Sequence, residues 1–123
     1  MTKISLYIFL LLMVYNIAYS EWIEISHSNT ATIYVDPKTV TNDEETKYVW
    51  VLIDQKEKTD NTKSRTVHIQ IDCNKGKNRL HFIVLYNAQM GKGDEINRVT
   101  SPTEWRSILP GSVGYDVKEF ICS

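Results

Sequence analysis

A two-residue period runs through the chain from Lys47 to Ala88, and it restricts this stretch to an antiparallel sheet more tightly than any other feature. In Lys47 to Gln55, Tyr48, Trp50 and Leu52 point one way, while Val49, Val51 and Ile53 point the other. Arg65 to Cys73 and Asn78 to Ala88 flank the turn-forming Asn74-Lys75-Gly76-Lys77 and read as a hairpin. The apolar pattern predicts its register: Cys73 opposite Asn78, Ile71 opposite Leu80, Ile69 opposite Phe82, Val67 opposite Val84. A one-residue slip would scatter these side chains over both faces. In this register Cys73 joins Ile69 and Ile71 on the core side. The other side carries His68, Gln70, Asp72, Arg79 and His81, together with Ile83 and Leu85.

The flanking segments extend this picture. Glu21 to Ser26 and Thr30 to Asp36 alternate on either side of His27-Ser28-Asn29, a second hairpin. Asp36-Pro37 is expected to start a turn, and Thr41 to Glu45 and Glu57 to Lys63 are polar enough to be loops. Beyond Gly91-Lys92-Gly93 comes a short strand, Glu95 to Thr100, which Ser101-Pro102-Thr103 breaks. Glu104 to Ile108 then suggests one helical turn. Pro110-Gly111-Ser112 reads as a helix start with Ser112 as its cap, and Val113, Val117, Phe120 and Ile121 fall at helical spacing. The expected fold class is α+β: an antiparallel sheet of about six strands with a C-terminal helix packed on one face and tied by a disulfide.

That disulfide follows from the start of the chain. Lys3, the apolar run Ile4 to Val14 and the small residues of Ala18-Tyr19-Ser20 form a signal peptide over residues 1–20, with cleavage expected after Ser20. The run is shorter than the roughly 20 residues that span a bilayer, so no transmembrane segment is expected after cleavage. Residues 21–123 form a single domain of ordinary size. In an oxidising compartment the only two cysteines, Cys73 and Cys122, read as a bridge. It would contribute about 4 kcal/mol on the chain-entropy account. Fourteen basic against fifteen acidic residues give a net charge of -1, which argues against a nucleic-acid binder.

Motifs for chemistry are sparse. Gly91 and Gly93 form no phosphate loop, no serine is marked as a nucleophile with its base, and Asp43-Glu44-Glu45 reads as a solvated loop. The chain is therefore not expected to be an enzyme, nor to hold a cofactor. His81 lies diagonal to His68 at about 7–8 Å in the expected register, with Asp72 on the same face. A surface metal site is within reach there, but the spacing of a structural zinc site is absent, and ordinary exposed side chains are the expectation. Tyr48 to Ile53 is apolar on both faces, whereas one helix covers only one. Either the N-terminal hairpin covers the other as a second layer or the sheet pairs with another chain; a homodimer is the favoured expectation, with Ile83 and Leu85 as its candidate interface.

An ordered set of short motifs adds a direction. Trp22-Ile23-Glu24-Ile25, Tyr34-Val35-Asp36-Pro37 and Val49-Trp50-Val51-Leu52 are followed by Asp72-Cys73, Tyr86 and Met90-Gly91. Glu104-Trp105, Pro110-Gly111-Ser112 and Cys122 complete the set. In this order they resemble the bacterial surface-adhesin protein E family over nearly all of Glu21 to Cys122. The resemblance implies a small antiparallel sheet with a C-terminal helix held by the disulfide. It also implies an adhesin-like module that binds host extracellular proteins, exported to the periplasm or cell surface of a Gram-negative bacterium. This signal offers no Cys to acylate, which favours a soluble envelope protein. The alternative is a periplasmic small-ligand or metal-binding protein using the His68 and His81 face.

Overall fold

The computed structural model describes residues 21–123, so the expected signal peptide and its cleavage point before Glu21 lie outside the described residues. Six strands form one antiparallel sheet in chain order: β1 (Ile23–His27), β2 (Ala31–Asp43), β3 (Thr46–Thr59), β4 (Thr62–Asp72), β5 (Lys77–Tyr86) and β6 (Glu95–Val99). A two-residue strand, β7 (Arg106–Ser107), pairs with Lys77 and Asn78 of β5, along the part of that edge which β6 leaves free. The helix α1 (Val113–Ile121) ends the chain, and a single 3-10 turn (Gln89–Gly91) stands between β5 and β6.

The strands run longer than the polar composition of their ends suggests. No turn forms at Asp36-Pro37; β2 continues to Asp43 with a shift of register between Asp36 and Thr41. Pro37 lacks the N–H that a regular ladder needs, so an irregular stretch is where a strand tolerates it. The Thr39 hydroxyl repairs the ladder there, donating to the Asp36 carbonyl and accepting the Trp50 N–H at 3.0 Å. The two expected loops shrink to Glu44-Glu45 and Asp60-Asn61. Asp60 and Asn61 both take positive φ, 48° and 67°, the backbone of a tight hairpin turn that these residue types accept. The helical turn expected within Glu104 to Ile108 is instead β7.

The β4–β5 register also differs. Near the turn, Ile71 faces Asn78 and Ile69 faces Leu80, two residues tighter than the apolar pattern alone suggested. Asp72 is the reason: its Oδ1 accepts the N–H groups of Asn74 and Lys75, so the turn begins one residue earlier and closes at Gly76. Further along, His68 faces Phe82 and Val67 faces Ile83, with His81 as an extra residue in β5. This bulge reverses the alternation beyond it. Ile83 and Leu85 consequently lie on the Val51 side of the sheet, with Val67 and Arg65, and not on the side expected.

The core is one cluster on that side, with Ile33, Val35, Val49, Val51, Ile69 and Ile71 buried against Val117 and Ile121. Ser112 caps α1 as expected, accepting the Tyr115 N–H. At the other end Lys47 donates to the Ile121 carbonyl, and Cys122 is bonded to Cys73, which packs against the same cluster. Phe120 is exposed, so the buried stripe is narrower than its spacing implied.

Candidate functional site: an aromatic strip on the sheet

The Trp50 side of the sheet is divided in two. At one end the segment after β5 folds back and seals it. The Met90 N–H donates to Asp54 at 2.9 Å, and the Gly91 N–H donates to the Ser64 hydroxyl, which donates in turn to the Ala88 carbonyl. Gly91 has φ of 68°, and a Cβ there would stand 3.4 Å from the Thr66 methyl and 3.6 Å from Leu52. Leu52 is fully buried beneath this seal.

Beyond the seal the rings reach the surface, with Trp50, Tyr48, His68 and His81 half-buried and Phe82 exposed. Trp50 stacks on His68 with centroids 4.8 Å apart, Tyr48 stacks on His68 at 5.4 Å, and Phe82 lies parallel to His68 at 6.1 Å. His81 reaches Tyr48 at 5.2 Å. These rings come from three adjacent strands, and the bulge at His81 is what turns Phe82 onto this side. Arg79 carries the strip toward the edge of the sheet, its guanidinium 4.8 Å from the ring centre of Trp105. Phe82 remains 39% exposed and Trp105 37%.

A buried amide locks the geometry. Gln70 Oε1 accepts from Arg79 Nε at 2.8 Å and meets His81 Nε2 at 2.7 Å, while its Nε2 donates to Thr46. A carbonyl oxygen only accepts, so His81 Nε2 carries the ring proton. Burial lowers the pKa of His68 below the usual 6.5, helped by His81 beside it, and burial with nearby Arg79 does the same for His81. Both rings are therefore neutral at pH 7. A histidine with a lowered folded pKa binds fewer protons than its unfolded counterpart, so it stabilises the fold above the unfolded value and loses that contribution as pH falls through the folded one. The melting temperature should drop as pH is taken down from about 6.5, and less so in His68→Gln. Identical pH profiles for both proteins would refute this role.

The ligand set that the sequence placed within reach, His68, His81 and Asp72, does not assemble. The rings of His68 and His81 lie 6.2 Å apart, but the Asp72 carboxylate is committed to the turn amides. No group of three or more potential metal ligands occurs among the described residues. Ile83 and Leu85, the candidate interface, are absent from this strip because of the bulge. The pairing of Tyr48 and Trp50 with His68 had a sequence signal in the alternation of β3 and β4; the contribution of Phe82 had none.

The family model for surface-adhesin protein E matches residues 22–123. No curated protein matches the chain. Among solved structures, protein E of Haemophilus influenzae is similar in fold. One structure has a TM-score of 0.63 at 12% identity, covering 86% of each chain. A second crystal form gives 0.61 at 11% identity, covering 85% of this chain and 96% of the other. Protein E from a non-typeable strain gives 0.60 at 14%, covering 87% and 78%.

Proposed function

Because the chain belongs to the surface-adhesin protein E family, we propose that it is an exported bacterial envelope protein that binds another macromolecule through the aromatic strip. The observation that carries this reading is the half-buried stack of Trp50, His68 and Tyr48 with the exposed Phe82, continued by Arg79 over Trp105. Aromatic residues and arginine concentrate where protein interfaces gain most of their affinity. Gln70 fixes Arg79 and His81 within this strip, so less side-chain entropy is lost at these two residues on docking. Export is supported by the family and by the oxidised cysteine pair. No helix among the described residues is long and apolar enough to cross a membrane. The helix α1 is read as a cover for part of the opposite, Val51 side, supported by the burial of Val117 and Ile121 in that cluster.

Surface plasmon resonance of the mature protein against a panel of host extracellular-matrix proteins tests this. Phe82→Ser combined with Trp105→Ser should weaken the interaction by about tenfold or more while the disulfide and circular dichroism are retained. Unchanged binding by that variant would remove the strip from the function. Absence of binding to every panel member would remove the adhesin reading.

A further inference from the structure

The opposite side of the sheet holds a second feature, which the aromatic strip does not use. Between the Val51 side of β3–β5 and the segment from Thr103 to Gly114 lies a groove of about 340 Å³. Its floor is Val51, Val67, Ile69, Leu80 and Ile83, and Ile108, Leu109 and Val113 form its wall. Volumes near the lower end of the roughly 300–1,000 Å³ seen for ligand sites suit one slender apolar molecule, and not a two-chain lipid. The bulge at His81 makes this groove, because it is the bulge that brings Ile83 to this side.

Among the described residues, the charged ones lining the groove are Arg65 and Arg106, with no carboxylate among them. The salt-bridge contacts among the described residues lie elsewhere, on Glu24, Glu21 and Glu95, so neither guanidinium has a salt-bridge partner among the described residues. Arg65 lies beside Ile53 and Leu85, whereas Arg106 pairs with Asn78, so the two arginines stand toward opposite ends of the apolar floor. An apolar trough bordered by unpaired positive charge complements a linear amphiphile with an anionic head. We propose that this groove binds a free medium-chain fatty acid anion, with its chain along Val67, Ile69 and Ile83 and its carboxylate on one of the two arginines.

Calorimetric titration of the mature, oxidised protein with dodecanoate below its micelle concentration tests this, with dodecyltrimethylammonium as the cationic control. Dodecanoate should bind at least about tenfold more tightly than the control, the discrimination expected of a charge-assisted contact. Arg65→Glu combined with Arg106→Glu should abolish that preference; both side chains are exposed, so the fold should survive. Leu109→Asp, at a lip position that is 66% exposed, should weaken dodecanoate without lowering the melting temperature. Equal binding of the two amphiphiles, or no heat with either, would overturn the proposal. So would concentration-dependent sedimentation abolished by Leu109→Asp, since a second copy of this chain would then fill the groove. These outcomes leave the aromatic strip untouched, so this inference and the adhesin reading fail independently.

Discussion

Replacing Cys73 and Cys122 together with Ser is expected to cost about 2–5 kcal/mol, the range for native bridges in small secreted domains. The two residues are 49 apart in the chain, so reduction frees a long loop in the unfolded state. The folded state suffers locally as well. Helix α1 has nine residues, too few to persist alone in water, and it contributes the buried Val117 and Ile121 to the core. Its remaining anchors are the Ser112 cap and the Lys47 contact to the Ile121 carbonyl. Amide exchange should therefore rise first from Val113 to Ile121 and only later in β3 and β4, where pairing continues on both sides. Uniform acceleration across the sheet would show that the bridge has no special bearing on the helix. Two titratable thiols in the untreated, non-reduced protein would remove the bridge altogether.

Leu52→Ala should be about as damaging, at about 2–5 kcal/mol, because the side chain is fully buried and its removal leaves a cavity. Periodicity alone would not rank it above Trp50, which shares its side of β3. The difference is the seal over Leu52, fastened by Asp54 and Ser64 to the backbone of Met90 and Gly91. Thermal unfolding should show the loss, and exchange of the Met90 and Gly91 amides should rise with it. A cost below about 1 kcal/mol would mean that the segment does not seat on Leu52. Phe82→Ala, on the open part of the same side, should cost less, since that ring is already partly in water.

Much of the architecture was legible because it depends on near neighbours. The alternation in Lys47 to Gln55 defined two faces, Ser112 marked the start of α1, and two cysteines in a chain read as exported pointed to one bridge. The strand ends were less legible. Thr41 to Asp43 and Glu57 to Thr59 are polar because they are largely solvent-exposed, yet they still pair or continue as strand. Polarity reports exposure, and an exposed residue can be in a ladder.

The candidate site depended on two events that local pattern does not encode. Asp72 binding the Asn74 and Lys75 amides moved the hairpin turn by one residue, and the extra residue at His81 then reversed the faces of β5. With a period of two, a single inserted residue exchanges the sides of every residue beyond it. The sequence by itself determined a two-faced antiparallel sheet, a capped C-terminal helix and their disulfide, because spacing, capping and redox chemistry act on residues considered singly or in short runs. Only the tertiary structure decided that Phe82 joins Trp50 and His68 while Ile83 enters the groove. That choice rests on where one strand breaks register against another, which is a property of the paired strands and not of either alone.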